Sequence, residues 1–291
     1  MKFITYIDKE GIDRLGVLSE DASTMHPLAE LGISCTGMPE FIASWSESSR
    51  ASILSKISSP GLPLADVVLA APIPHPPHDI LCVGQNYLEH AIESAKFKGI
   101  VYKKPEHPVY FSKRVNRAVA DGGVIAAHAD ITAKLDYEAE LAVVIGRRCD
   151  HVRPEAVFAH IFGYTIVNDI SARDLQNAHA QYTFGKGLAD AAPMGPWLVT
   201  RDEFAEPPHL RVRTWVNGEL RQDGNTGEFI FDIPYLISEL SSGMILEPGD
   251  IVITGTPSGV GMGYQPPRFL KPGDIIECEI EGIGKLRNMV R

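Results

Sequence analysis

Two glutamates, Glu138 and Glu140, stand two positions apart in the run Leu135 to Ile145, most of whose other residues are apolar. A strand alternates its side chains with a period of two, so both carboxylates face the same way. The apolar neighbours predict a largely buried strand, where two like charges raise each other's pKa unless a cation neutralises them. A hard divalent ion, Mg2+ or Mn2+, takes oxygen ligands and keeps waters that a chelating substrate can displace. Asp169, which ends the apolar run Tyr164 to Asn168, is placed to supply a third carboxylate. Spacing alone leaves another reading open: acidic pairs of this kind also occur on the wet face of an edge strand, with Asp169 capping a helix.

Three further groups could join such a centre. His90 and Glu93 lie three apart in a segment of helical spacing, so the carboxylate can orient the imidazole as a general base, or the two can form an ordinary surface pair. Lys186 stands in Phe184-Gly185-Lys186-Gly187, where glycines let the backbone approach a ligand and the ammonium could stabilise a developing enolate. A solvated loop lysine is the plainer alternative. The stretch Thr254-Gly255-Thr256-Pro257-Ser258-Gly259-Val260-Gly261 is rich in amide and hydroxyl donors, and reads as a carboxylate-binding nest or simply a turn. It lacks the lysine of a phosphate-binding loop.

The elements that must hold these residues are mostly strands. Residues 3–18 read as a β-hairpin about the turn Asp8-Lys9-Glu10-Gly11, and Pro39 to Ser58 as helix interrupted among the serines. The proline-rich stretch from Ala71 to His78 is a stiff connector, which divides the chain into a small N-terminal domain, 1–70, and a larger domain, 71–291. Beyond it come a short strand ending at Gly84, a helix from Asn86 to Ala95 with Asn86 as its cap, and a succession of strands. Glu247-Pro248-Gly249-Asp250 and Lys271-Pro272-Gly273-Asp274 are similar turns, each leading into a β-branched run. The fold class expected is α+β and β-rich, a barrel or roll with few helices.

Composition narrows the function. The 291 residues carry 44% hydrophobic and 22% charged side chains, those of an ordinary globular protein. A formal net charge of -10 opposes binding to nucleic acid or anionic lipid. With no early secretory pattern and no long apolar span, a cytoplasmic protein is expected. Cys35, Cys82, Cys149 and Cys278 show no CxxC spacing and read as buried free thiols.

Taken in order, Val83-Gly84-Gln85-Asn86-Tyr87 with His90 and Glu93, Tyr110-Phe111-Ser112-Lys113, Asp136 to Leu141, Asn168 to Gln176, Phe184-Gly185-Lys186, Pro193-Met194-Gly195-Pro196 and Thr254 to Gly261 resemble the fumarylacetoacetate hydrolase superfamily over most of the chain. The resemblance implies a β-roll catalytic domain behind a small N-terminal α/β domain, a homodimer, and Mg2+ or Mn2+ on Glu138, Glu140 and Asp169. It implies His90 with Glu93 as a base dyad on a lid helix and Lys186 as the enolate stabiliser. Gln176, Thr256, Lys113 and Tyr87 become the expected contacts to a small oxo-carboxylate. Gln85 departs from the pattern, since several small relatives carry a basic residue there. The implied reaction enolises a 2-oxo or β-keto carboxylate, oxaloacetate tautomerisation or decarboxylation first among the readings. A C–C hydrolase of acylpyruvate or fumarylpyruvate and a dienedioate isomerase or decarboxylase are alternatives, and a non-catalytic scaffold a further one.

Overall fold

The apolar strands predicted around the acidic pair form the middle of a large sheet in the computed structural model, which describes residues 1–57 and 61–291. Ala139–Ile145 is buried at every position and lies between Ile161–Asn168 and Ile251–Ile253, antiparallel to both. An edge-strand placement for Glu140 is thereby excluded. From Ile251–Ile253 the sheet continues to Ile80–Gly84, in parallel, and then Val109–Lys113. In the other direction it runs through Met194–Thr200 to Lys2–Ile7, Asp13–Leu18 and Thr24–Pro27. A second, five-stranded sheet includes Arg211–Val216, Ile275–Ile280 and Gly284–Val290, and packs against the first over a common core that includes Leu141, Val143, Ile166, Val212 and Ile276. Burying such side chains stabilises the fold by roughly 1.5–3 kcal/mol each before entropy is counted.

The expected hairpin is present as Lys2–Ile7 and Asp13–Leu18. It joins the same sheet as residues beyond the proline-rich connector, because Lys2 and Phe3 pair with Val199 and Leu198. Phe3, Phe41 and Trp45 also surround Phe162 at ring separations of 5.6–6.2 Å, so the N-terminal 70 residues share a core with residues beyond the connector. The interrupted helix is α1 (Met38–Ala43) and α2 (Glu47–Lys56), broken where Ser46 caps α2 by accepting from the Ser49 amide. The expected end at Ser58 lies outside the described residues. Both proline-glycine turns close as expected, with Gly249 and Gly273 at φ of 91° and 94° and each following aspartate folding back onto an amide.

One expected cap is corrected. Helix α3 (Leu88–Phe97) starts after Tyr87, and the Asn86 side chain makes no cap. Asn86 instead donates to Thr254 O and Phe231 O and accepts from the Phe231 amide. It ties the start of the helix to two distant loops, a use that local sequence does not disclose. The other helices are α4 (Arg173–Ala178), α5 (Thr183–Lys186) and α6 (Ile233–Gly243). No helix among the described residues is long and apolar enough to cross a membrane.

Candidate active site

Glu138, Glu140 and Asp169 converge: each offers a carboxylate oxygen within 4.8 Å of the others, and all three are buried. Backbone pairing fixes them. The Asp169 amide donates to Glu138 O, and the Glu138 amide is held by Asn168 Oδ1, so the end of one central strand and the start of its neighbour are locked together. Glu140 accepts from the Gly255 amide at 2.6 Å.

Three cations face this cluster. Lys186 Nζ donates to Glu138 Oε2 at 2.6 Å and Asp169 Oδ2 at 2.5 Å. Arg173 reaches Glu138 Oε1 at 2.6 Å and Asp136 Oδ2 at 2.9 Å. Lys113 Nζ lies 2.9 Å from Asp169 Oδ1, although that oxygen makes no hydrogen bond of good geometry among the described residues. The result is an uneven electrostatic field. Burial pushes the Glu138 carboxyl up, but Arg173 and Lys186 outweigh it and hold the group well below the usual range. Burial raises Glu140 well above its ordinary value, and the charges of Asp169 and Glu138 add to the effect. Burial works against the Lys186 ammonium, yet Asp169 and Glu138 keep it protonated.

These residues fit a hard divalent cation. All donors are carboxylate oxygens, one of them lacks a well-formed hydrogen bond, and the repulsion that loads Glu140 is the kind a cation relieves.

The dyad forms as expected, with His90 Nδ1 3.2 Å from Glu93 Oε2. Since Nδ1 is engaged, Nε2 is the ring nitrogen left for chemistry. His90 lines a cleft together with Glu138, Glu140, Lys186, Gln176 and Thr256. Other expected contacts are elsewhere. Lys113 is wholly buried beneath the cluster, donating to Ile170 O and Lys186 O, and Tyr87 is buried against Phe229; neither lines the cleft. Lys186 is directed at carboxylates rather than standing free, and its two hydrogen bonds leave the ammonium one further donor. Gly185 serves packing, because a Cβ there would meet the Gln176 backbone nitrogen at 2.5 Å.

The donor-rich loop binds carboxylates, but the protein's own. The Gly255 amide serves Glu140, the Gly259 amide Glu93, and the Gly261 and Met262 amides Asp136. Thr256 Oγ1 donates to Ala139 O and accepts from Gln222. Sequence reasoning assigned no role to Arg173, Asp136 or Lys98. Arg173 and Asp136 lie inside the segments that carry the family resemblance, and for Asp136 its place between Leu135 and Tyr137 was the available signal. Lys98, at the C-terminal end of α3, lines the cleft, and among the described residues its ammonium has only the Tyr182 hydroxyl as a hydrogen-bond partner, at 3.2 Å.

Comparison with known proteins places the chain in a family. Residues 79–291 match the family fumarylacetoacetate (FAA) hydrolase C-terminal. The chain is 50% identical over 227 residues, 78% of its own length and 74% of the relative's, to oxaloacetate tautomerase YisK of Bacillus subtilis. A fumarylacetoacetate hydrolase structure from Exiguobacterium antarcticum superposes with a TM-score of 0.85 at 37% identity, covering 100% of this chain and 99% of that one. A maleylpyruvate hydrolase from Sphingobium, solved with manganese(II) and pyruvate, gives 0.78 at 29% identity, covering 100% and 98%. The chain belongs to the fumarylacetoacetate hydrolase family and is an enzyme.

Proposed function

We propose that this enzyme enolises a small 2-oxo dicarboxylate in a divalent-metal-dependent reaction, with oxaloacetate tautomerisation the best-supported activity. The observation that carries the reading is the buried carboxylate cluster with the His90–Glu93 dyad on the same cleft. The 50% identity to an oxaloacetate tautomerase supports the substrate.

Glu138, Glu140 and Asp169 would hold the metal, Mg2+ or Mn2+. When bound, the ion supplies positive charge that favours the enolate form of a chelating oxo acid. The chain does the rest. Glu93 accepts a hydrogen bond from the Nδ1–H of His90, which fixes the tautomer with the lone pair on Nε2. In the enol-to-keto direction that nitrogen takes the proton of the enol hydroxyl and delivers it to the carbon between the two carbonyl groups, so an O–H bond is broken and a C–H bond formed; the reverse transfer gives the enol. Lys186 and Arg173 keep Glu138 ionised, so that carboxylate is held ready as a ligand. Gln176 and Thr256 line the cleft where the substrate would lie. Lys98 is the one cation on the cleft wall with no carboxylate partner among the described residues, which favours a substrate with a second anionic group. A homodimer and a cytoplasmic setting are part of the same reading.

A second reading, hydrolysis of an acylpyruvate-type C–C bond with His90 activating water, is favoured by the maleylpyruvate hydrolase likeness. One assay separates them. With Mn2+, the enzyme converts enol to keto oxaloacetate faster than Mn2+ alone and releases no pyruvate from an acylpyruvate. Pyruvate release without enol conversion establishes the hydrolase instead.

A further inference from the structure

The segment Gly259-Val260-Gly261-Met262-Gly263 contributes three amides to carboxylates and, at Gly263, leaves room for a side chain of α3. Its 3-10 turn, Gly261–Gly263, packs on that helix. Glu93 Oε1 accepts from the Gly259 amide at 3.1 Å, while Oε2 faces His90. A Cβ on Gly263 would fall 1.7 Å from Glu93 Oε1 and 2.1 Å from its Cδ. The side chain of Glu93 therefore occupies the space that a side chain at 263 would need. Gly263 does not have positive φ, so its backbone has no need of glycine. The room above it does.

The turn is itself anchored. Asp136 Oδ1 accepts from the Gly261 amide at 2.7 Å and Oδ2 from the Met262 amide at 3.0 Å. Asp136 does not line the cleft; besides the turn it accepts from the Tyr137 amide and from Arg173, which holds Glu138. A continuous set of contacts therefore runs from the cluster through Arg173, Asp136 and the glycine turn to Glu93 and His90.

We propose that Gly263 and Asp136 are positioning residues for the catalytic base: Asp136 holds the glycine turn, and the turn seats Glu93 so that His90 is aimed into the cleft. The role in turnover rests on the proposed reaction; the seating itself does not. In Gly263→Ala the methyl group displaces the flexible end of Glu93 rather than backbone, so the fold survives and the dyad is lost.

A double-mutant cycle with two readouts tests this. Gly263→Ala should lower kcat on oxaloacetate at least tenfold with KM changed less than twofold, and should speed amide hydrogen exchange across Leu88–Phe97 severalfold. In a Glu93→Ala background the clash has no partner, so adding Gly263→Ala should change neither quantity further. Asp136→Asn should reproduce the faster exchange in α3, with Mn2+ affinity by calorimetry within threefold of wild type. Wild-type kcat and exchange in Gly263→Ala overturn the proposal, and so do losses that add to those of Glu93→Ala, which mark a general structural role. If Gly263→Ala fails to fold, the Asp136→Asn exchange pattern decides: protection unchanged in α3 overturns it. Absence of oxaloacetate turnover in the wild type removes the proposed reaction alone, since the exchange arm stands without it.

Discussion

At the scale of single residues, the site is a balance of buried charges, and each has a distinct consequence when removed. Glu140→Ala takes away one ligand and leaves Glu138 and Asp169 with their ammonium and guanidinium partners, so Mn2+ binding by calorimetry should disappear. Retained affinity would show that the ion sits elsewhere. His90→Ala should lower turnover by about 10²–10⁴-fold, the usual contribution of a positioned acid–base group, while thermal unfolding stays near wild type. Glu138 and Glu140 were read as a pair from a strand period of two and Asp169 from the end of an apolar run, with an acidic edge strand left open; in the structure only Glu140 lies within the strand, Glu138 just before it. The partners of the buried acids were not legible: Arg173 meets Asp136 across 37 positions of sequence, and Lys113 meets Asp169 from a different strand of the sheet, contacts that only the folded chain creates. The same limit explains why Lys113 reads as a substrate contact in sequence and stands beneath the site in the structure.

At the scale of elements, turns and strands were readable because their rules are local. The proline-glycine turns and the β-branched strands follow from backbone preferences within a few residues. Asn86 shows the limit of that approach. Its type and place suit a helix cap, but Thr254 and Phe231 compete successfully for its amide. The donor-rich glycine loop could equally be a ligand nest or a turn, and it became intelligible only when Glu93, Asp136 and Glu140 were found on its amides. The connector carries a pH-sensitive contact of its own. His78 Nδ1 lies 2.7 Å from Asp250 Oδ1, in the turn that precedes a central strand, and this carboxylate raises the imidazole pKa above its ordinary value. A raised folded-state pKa stabilises below the unfolded value and is lost as pH rises through the folded one. His78→Ala should therefore lower Tm at pH 5 and not at pH 9. Because the imidazole is largely exposed, the effect should be about 0.5 kcal/mol or less. An equal loss at both values would assign the contact to packing.

At the scale of the molecule, the N-terminal 70 residues extend the sheet that carries the site, through the pairing of Lys2–Ile7 with Met194–Thr200. Sequence located a compositional boundary at the prolines but not this pairing, since strand order is set by contacts far apart along the chain. One consequence is global. A ligand that binds only the folded state stabilises it by mass action, about 2.7 kcal/mol at one hundred times Kd. Saturating Mn2+ should raise Tm of the whole protein in a single transition, and should leave Glu140→Ala unmoved. Enolisation, in the proposed mechanism, depends on an ion held by Glu138, Glu140 and Asp169. The most direct test strips the protein with a chelator, titrates Mn2+ back, and follows conversion of enol to keto oxaloacetate. A rate that rises to saturation at one ion per chain, above that of Mn2+ alone, and that is absent in Glu140→Ala, is predicted. A stripped protein that retains its full rate would contradict it.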